Sequence, residues 1–213
     1  MLLCLFGHKF INLVIFREGM IITISGSPGS GKSSVAKVLV QRVGYLRVYA
    51  GGIMRETARE RGLTLEQFME YLSRDAVLEK EIDYKVKEKA YALEKTGKDV
   101  LVEGRVHYHL IPDSIKIYIK VEPREGARRI LKDLQDAQAS KDRNQKAVDT
   151  IEQMVELNRV REETDAQRYM KLYGIDHRVE SQYDLVIDTT QLTIEQGVEK
   201  VLEFVWKKRG KSL

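Results

Sequence analysis

The sequence predicts an α/β fold of three layers, in which a parallel sheet is flanked by helices. Segments typical of strands and of helices alternate along the chain, which indicates parallel strands joined by crossover helices. A β-branched run at residues 21–25 leads directly into a glycine-rich loop and then into a helical pattern. With 213 residues, the chain is long enough for one full α/β core and too short for two. We therefore predict a single domain over residues 20–213.

The first half of the chain continues with one more strand and several helices. The predicted elements are, in order, a helix at 34–43, a strand at 45–49, a helix at 53–61, a helix that begins after Thr64, and a helix at 79–96. Thr64 is predicted as an N-cap because Gln67 follows three residues later, which is the spacing of a capping box. Gly62 and Gly97 mark the ends of two of these helices.

The second half of the chain contains the remaining strands and a long polar segment. We predict strands at 100–102, 115–121 and 183–189 and a closing helix at 194–207. The run 100–102 is the most apolar of the short runs, which indicates a central strand. Residues 124–173 are polar and helical, and 135–146 contain almost no apolar residue. Because such a segment cannot bury a face, we expect a solvent-exposed, mobile helical hairpin inserted into one core.

Composition limits the functional classes. The net charge is +4 and the pI is near 9.0, so the chain is mildly basic. Arginines that clamp several phosphates explain this excess as well as a nucleic-acid surface does, and we favour the clamp. The single cysteine, Cys4, excludes an internal disulfide and a cysteine-cluster metal site, and indicates an intracellular, cytoplasmic protein.

The octapeptide GSPGSGKS at residues 26–33 matches the phosphate-binding loop G-x-x-x-x-G-K-[ST] at every required position. Its glycines let consecutive N–H groups point into one hollow, where they hold phosphate oxygens, and the following helix adds its positive dipole end. Lys32 supplies a cation for the outer phosphates, and the Ser33 hydroxyl can ligate Mg²⁺. The predicted ATP-binding residues are Gly26, Ser27, Pro28, Gly29, Ser30, Gly31, Lys32, Ser33 and Ser34.

The segment before the first strand is apolar but discontinuous. Residues 1–16 are apolar but interrupted by His8, Lys9 and Asn12, so they are too short and too broken to span a membrane. They also lack the flanks of a secretory signal. We interpret residues 1–19 as an upstream extension, with translation starting at Met20. An added strand or helix, and a membrane or targeting segment, are the alternatives.

Arginines lie where a second phosphate group would be bound. Arg55 follows the second strand, and Arg105 comes directly after the strand at 100–102, at the edge where α/β sheets bind ligands. Arg161, Asp165 and Arg168 are spaced four and three residues apart, which places them on one helix face. Guanidinium groups match phosphate geometry and keep their charge. The alternative interpretation of this helix face is a solvated set of ion pairs.

Glu103 is the candidate carboxylate at the Mg²⁺ site, acting through water, with capping of local N–H groups as the alternative.

His107, His109 and His177 lack the spacing of metal ligands, so we interpret them as surface or pocket residues. Four tyrosines are expected in the core or the pocket wall, with a nucleic-acid stacking platform as the alternative: Tyr45, Tyr49, Tyr108 and Tyr118.

Taken together, these motifs resemble those of the archaeal-type cytidylate kinases, a branch of the nucleoside monophosphate (NMP) kinases with a P-loop kinase fold. The similar stretches are ITISGSPGSGKSSVAK, AGGIMRETARERGLTLEQF, VLVEGR, REETDAQRYMKLYGID and YDLVIDT. The resemblance implies transfer of the ATP γ-phosphate to CMP or dCMP, with Mg²⁺ as cofactor and ADP as product. It also implies an NMP-binding insertion at about 50–90 and a lid region at about 125–178.

The resemblance also implies roles for individual residues. Arg55 corresponds to the arginine that grips the acceptor phosphate, and Gly104 and Arg105 to a motif that contacts the same nucleotide. The pair Arg161 and Asp165 corresponds to groups that address the acceptor. Arg168 corresponds to a lid arginine that reaches the transferred phosphate. Lys32, Arg105, Arg161 and Arg168 are thus the predicted catalytic residues, and binding of both nucleotides is expected to close the lid.

This chain departs from the family pattern at several positions. Lys32 and Ser33 occupy positions where the family often has two threonines, and Gly52 replaces an aspartate. The segment 123–130 is one residue short, which leaves the roles of Arg128 and Arg129 open. Residues 106–109 (VHYH) are unusual and lie where the acceptor base is expected.

Three alternatives to a cytidylate kinase remain at this stage. The chain could phosphorylate another small acceptor, such as AMP or shikimate. It could be a nucleotide-dependent switch, although the Asn-Lys-x-Asp motif of ordinary GTPases is absent. An RNA-directed role is supported by the pI alone. We predict ATP and a nucleoside monophosphate as partners, no nucleic acid, no membrane, and a monomer.

Overall fold

A computed structural model describes residues 19–134 and 148–210. Most of the predicted N-terminal extension and the polar hairpin at 135–146 lie outside these residues. The strands are β1 (Ile21–Gly26), β2 (Leu46–Tyr49), β3 (Val100–Glu103), β4 (Ile115–Lys120) and β5 (Leu185–Asp188). The helices are α1 (Lys32–Val43), α2 (Ala50–Glu60), α3 (Leu65–Arg74), α4 (Ala76–Glu94), α5 (His107–Leu110), α6 (Pro123–Leu134), α7 (Ile151–Tyr173) and α8 (Ile194–Lys208). A 3₁₀ turn covers Glu180–Gln182.

The five described strands form one sheet in the order β2-β3-β1-β4-β5, and every neighbouring pair is parallel. This arrangement confirms the α/β fold. The most apolar strand, β3, is an interior strand as predicted, although β1 occupies the middle of the sheet. Because all strands run in one direction, their carboxyl ends meet along a single edge, where the loops after β1 and β3 lie side by side.

Each face of the sheet is covered by helices, which gives the predicted three layers. On one face, α1 and α8 bury alternate residues of β1 and β4, including Ile22, Ile24 and Ile117. On the other face, α4 packs Val86 and Ala90 against β1, β2 and β3. Side chains that alternate along a strand point to opposite faces, so β1 contributes to both cores.

Two helical segments extend beyond the sheet. In the first, α2, α3 and α4 share a small core around Phe68 and Leu72. Thr64 caps α3 in the predicted capping box with Gln67. In the second, α6 packs against α7 through a core that includes Met154. No helix in the described part of the chain is long and apolar enough to cross a membrane.

The structure corrects the expected positions of two histidines. His107 and His177 are not surface or pocket residues, because each is 1% exposed. His107 begins α5, a short helix that the sequence analysis missed, and it lies directly behind Gly104. Burial lowers the pKa of both imidazoles to about 4, so both are neutral near pH 7. His109 is exposed, as expected.

The helix after the second strand begins earlier than predicted. Helix α2 starts at Ala50 and includes Gly51 and Gly52, whereas the glycines suggested a start at Ile53. A Cβ atom at Gly52 would lie 2.8 Å from the Tyr49 ring, and one at Gly51 would lie 3.0 Å from it. The two glycines therefore let the ring of Tyr49 lie against the first turn of the helix.

Candidate active site

The phosphate loop connects β1 to α1 and is fixed by the neighbouring strands. Gly29 and Gly31 have φ angles of 74° and 80°, a left-handed conformation that favours glycine. The Ser27 amide donates to the Ile119 carbonyl at 3.1 Å. On the other side, the Thr189 hydroxyl donates to the Ser30 carbonyl at 2.9 Å. The loop is thus held open at the carboxyl edge of the sheet, as a phosphate site requires.

Helix α6 packs directly under this loop. A Cβ atom at Gly126 would lie 2.7 Å from the Pro28 carbonyl oxygen and 2.9 Å from Val121. A Cβ atom at Gly29 would in turn overlap the backbone of Gly126. The two backbones therefore approach so closely that neither position has room for a side chain.

Glu103 lies at the end of β3 and is 1% exposed. The Ser33 hydroxyl donates to its Oε1 atom, Lys32 Nζ lies 3.3 Å from the same oxygen, and Arg47 contacts Oε2. Burial acts to raise the pKa of Glu103, but the charges of Lys32 and Arg47 outweigh burial and the net pKa is lowered. The carboxylate is therefore ionised.

The Ser33 hydroxyl and the Glu103 carboxylate are oxygen donors in mutual contact, and hard cations such as Mg²⁺ prefer oxygen ligands. The residues present thus fit a divalent cation that is completed by phosphate and water. Among residues 19–134 and 148–210, the histidine, cysteine and carboxylate side chains form no group of three or more that could hold a metal ion by themselves.

Lys32 lies beside this carboxylate at the N-terminus of α1. Burial is the main reason that its pKa is lowered; Glu103 raises the pKa, and Arg105 and Arg161 lower it. Positive charges from three elements are thus concentrated around Lys32. Such a concentration favours a bound polyanion.

A cleft of about 720 Å³ opens above the phosphate loop. The loop residues 26–34 form its floor. Three of the predicted arginines, Arg55, Arg105 and Arg161, line it together, although they come from α2, the loop after β3, and α7. The structure therefore brings the predicted donor residues and most of the predicted acceptor residues to one cavity.

The arginines of the cleft repel one another. The pKa of Arg161 is lowered to about 10, first by the charge of Arg105, then by partial desolvation, and also by Arg168 and Arg55. The Arg161 side chain is exposed to solvent, so its desolvation is incomplete. Repulsion by Arg105 is therefore the main reason that the pKa of Arg161 is lowered. A bound phosphate dianion would relieve this repulsion.

Arg168 and Asp165 lie behind the cleft and do not line it. Arg168 contacts Glu79 at 3.0 Å and Asp165 at 2.7 Å, and Asp165 also pairs with Arg105. Arg168 thus joins α7 to α4, whereas the family resemblance implied a contact with the transferred phosphate. Burial raises the pKa of Glu79 to about 6 despite the opposing charge of Arg168.

Gly104 lies between the two parts of the site. Its amide donates to the Ile24 carbonyl at 3.1 Å, and a Cβ atom here would overlap the His107 ring. The position therefore requires glycine, and it directs the chain so that Arg105 faces the cleft.

Sequence reasoning missed two arginines of the cleft wall, Arg47 and Arg59, whereas Tyr49 was expected in the core or the pocket wall. Arg47, Tyr49 and Arg59 line it on the side of β2 and α2. Arg55 contacts the Tyr49 hydroxyl, and the guanidinium carbons of Arg47 and Arg55 lie 4.6 and 5.2 Å from the centre of the Tyr49 ring. Arg47 is the second residue of β2 and does not lie at the carboxyl end of that strand, so the strand-end rule that singled out Arg105 does not find it.

The structure shows where Arg128 and Arg129 lie, two residues whose roles the sequence left open. Both line the cleft near its α6 wall, and both pair with Glu125. Arg129 also donates to the carbonyls of Thr189 and Thr190 at 2.8 and 3.2 Å. These bonds with Arg128 and Arg129 lower the pKa of Glu125 to about 2.

Comparison with known proteins agrees with this geometry. A family model described as an AAA domain matches residues 22–152. The cytidylate kinase of Methanocella arvoryzae is 37% identical over 86% of this chain and 94% of its own length. The cytidylate kinase of Archaeoglobus fulgidus is 34% identical over 90% of this chain and 98% of its own length.

Solved structures match in fold at low sequence identity. TT1252 from Thermus thermophilus superposes with a TM-score of 0.56 at 18% identity, covering 90% of this chain and 98% of that one. Shikimate kinase from Acinetobacter baumannii superposes with a TM-score of 0.52 at 18% identity, covering 91% and 96%. The phosphate loop, the arginine-lined cleft and the full-length relatives lead to one conclusion: the chain belongs to the cytidylate kinase family and is a nucleoside monophosphate kinase.

Proposed function

We propose that this kinase transfers the γ-phosphate of ATP to CMP or dCMP, with CDP or dCDP and ADP as products. The observation that carries the proposal is the meeting of Arg55, Arg105 and Arg161 in the cleft that faces Lys32. Phosphoryl transfer brings two anions together, so it needs positive charge on both sides of the reacting group. The names of the relatives supply the choice of a cytidine acceptor.

On the donor side, the amides of the phosphate loop hold the phosphate oxygens at the start of α1. Lys32 is the mobile cation that follows the γ-phosphate during transfer. Ser33 and Glu103 would hold Mg²⁺, with Glu103 acting through water. When bound, the ion neutralises charge between the donor phosphates.

On the acceptor side, Arg55 and Arg161 bind the phosphate of the monophosphate, and Arg105 contacts the same nucleotide. The mutual repulsion that lowers the pKa of Arg161 supports this role, because a dianion in the cleft removes it. Asp165 lies outside the cleft and holds the Arg105 side chain in position through an ion pair. The contacts of Arg168 support a role in holding Asp165 and α7 in place, in preference to direct contact with phosphate.

Closure of the α7 segment over both nucleotides excludes water and aligns the acceptor oxygen with the γ-phosphorus. Exclusion of water matters because the same arrangement would otherwise hydrolyse ATP.

The test is ADP release from Mg·ATP with CMP, dCMP, UMP, AMP, GMP and shikimate offered one at a time. We expect selective stimulation by CMP or dCMP. Stimulation by AMP or shikimate alone would overturn the cytidine assignment but keep the kinase. Absence of stimulation by any acceptor would overturn the proposal and favour a nucleotide-dependent switch.

A further inference from the structure

Arg47 is a cleft residue to which the proposed mechanism assigns no task. It lies on β2, its side chain is 20% exposed, and its guanidinium contacts Oε2 of Glu103. It also stacks on the Tyr49 ring at 4.6 Å. Its Nε atom is buried without a hydrogen-bond partner among the described residues. A partly buried arginine thus contacts a fully buried carboxylate at the edge of the phosphate site, and we ask what this contact does.

Lys32 cannot bind Glu103 and the phosphates of ATP equally well at the same time. It lies 3.3 Å from Oε1 of Glu103 here, yet the lysine of such a loop reaches the outer phosphates when the nucleotide is bound. As Lys32 turns to the phosphates, Glu103 loses part of its charge compensation. A carboxylate this deeply buried is costly to leave without a cation.

Arg47 lies where it can remain a cationic partner of Glu103 after Lys32 has moved away. It binds the other carboxylate oxygen, Oε2, so it does not compete with Lys32 or Ser33 for Oε1. Its guanidinium keeps its charge under all ordinary conditions, which a lysine in a buried site does not. The Tyr49 ring fixes its plane, and that ring is itself confined by the first turn of α2 at Gly52.

We propose that Arg47 is a positioning residue that holds the Glu103 carboxylate in place and supplies its counter-charge while Lys32 moves from this carboxylate to the phosphates of ATP. The inference rests on the proposed roles of Lys32 and Glu103. It makes Arg47 part of ATP binding without any contact between Arg47 and the nucleotide.

The test is calorimetric ATP binding to the full chain without divalent cation and without acceptor, so that no turnover contributes. We expect Arg47→Met to weaken ATP binding by about tenfold or more, because Lys32 is then retained by Glu103. Arg47→Lys keeps a cation without the planar fork and should lose less, about threefold. The matched control is Arg42→Met, which removes an exposed arginine from an ion pair with Glu199 and should leave ATP binding unchanged.

The decisive comparison is a double-mutant cycle with Glu103→Gln. If Arg47 acts through Glu103, Arg47→Met should have little effect on ATP binding in the Glu103→Gln background. A tenfold loss that persists in that background would mean that Arg47 binds phosphate directly and would overturn the proposal.

Lys32→Ala distinguishes a failure of the proposed role of Arg47 from a failure of the proposed donor site. If it weakens ATP binding while Arg47→Met does not, the inference fails and the proposed donor site stands. If Lys32→Ala leaves ATP binding intact, the inference fails, whereas the proposed role of Lys32 in transfer is tested separately by kcat. The melting temperature of ligand-free Arg47→Met should stay near that of the wild type, because Lys32 and Ser33 remain on Glu103.

Discussion

At the scale of single residues, Lys32 combines two properties that transition-state stabilisation requires. It is positively charged, and it lies in a desolvated site beside the phosphate loop. We expect Lys32→Ala to lower kcat by about a thousandfold or more, because charge developing on the transferred phosphoryl group loses its counter-charge. The fold should persist, since Arg47 remains on Glu103 and alanine is a good helix former. Steady-state kinetics with circular dichroism measures both, and near-normal turnover would contradict the assignment.

Arg161 gives a residue-scale prediction for the acceptor side. The charge of Arg105 has the largest effect on its pKa, and both residues line the cleft. We expect Arg161→Ala to raise the acceptor KM by about tenfold or more while the Kd for ATP changes by less than about twofold.

The control for this prediction lies on the same helix. Arg159 is exposed and pairs with Glu156, so Arg159→Ala removes an arginine from α7 without touching the cleft. It should leave both constants unchanged. Equal losses of acceptor and ATP binding in Arg161→Ala would instead place Arg161 at the donor nucleotide.

At the scale of elements, the contact between α6 and the phosphate loop requires a glycine on each side, and Gly126 is the one on α6. In an exposed helix, Gly→Ala stabilises by up to about 1 kcal/mol. At Gly126 the added methyl group would lie 2.7 Å from the Pro28 carbonyl oxygen, so the loop would have to move. We expect Gly126→Ala to lower the melting temperature and to weaken ATP binding by about tenfold.

A second helix glycine provides the contrast. At Gly197 in α8, a Cβ atom would lie 3.4 Å from Val35, which is close to ordinary van der Waals distance. Gly197→Ala should therefore leave ATP binding unchanged and keep or raise the melting temperature. Differential scanning fluorimetry and ATP titration test both variants. Identical behaviour of the two would show that packing against the loop does not restrict position 126.

The elements that the sequence predicted correctly are those whose signals are local. The capping box of Thr64 and Gln67 and the loop at 26–33 are each complete within eight residues. The structure confirms the capping box and shows the loop between a strand and a helix, although the helix begins at Lys32, two residues earlier than predicted. Arg47 was missed because its importance arises from strand pairing, which places Tyr49 of β2 opposite Glu103 of β3. Arg168 pairs with Glu79 on a distant helix, a contact that no local pattern contains.

At the scale of the whole molecule, a buried carboxylate makes the free energy of unfolding depend on pH. Asp83 on α4 is 5% exposed, accepts a bond from the Tyr173 hydroxyl at 2.8 Å, and has His107 and Arg168 nearby. Burial raises its pKa from 3.8 to about 6. The folded state therefore binds more protons than the unfolded state between about pH 4 and pH 6, and stability falls as pH rises through this window.

Asp83→Asn tests this dependence because asparagine cannot ionise and still accepts a bond from Tyr173. We expect the stability of Asp83→Asn relative to the wild type to rise by about 2 kcal/mol between pH 4 and pH 7. Urea denaturation at several pH values measures it. A difference that stays constant with pH would show that Asp83 titrates as an exposed aspartate does.

Glu125 supplies a comparison of opposite sign. Its pKa is lowered to about 2, first by its bond with Arg128 and also by Arg129, so its contribution to stability is present above about pH 4.5 and is lost on acidification. The stability of Glu125→Gln relative to the wild type should therefore fall as pH rises from 3 to 6. A fall in the relative stability of both variants with rising pH would contradict the burial argument for Asp83, and a rise in both would contradict the ion-pair argument for Glu125.

The unequal charge of the cleft wall has a practical consequence for anyone who handles this kinase. Among the described residues, nine basic side chains and two acidic ones line the cavity. We therefore expect phosphate, sulfate and citrate ions to compete with the nucleotides for this cleft. A Michaelis constant measured in phosphate buffer would then include the inhibition constant of phosphate, and a melting curve recorded there would describe a partly liganded enzyme. Chloride salts of amine buffers give the cleaner reference state.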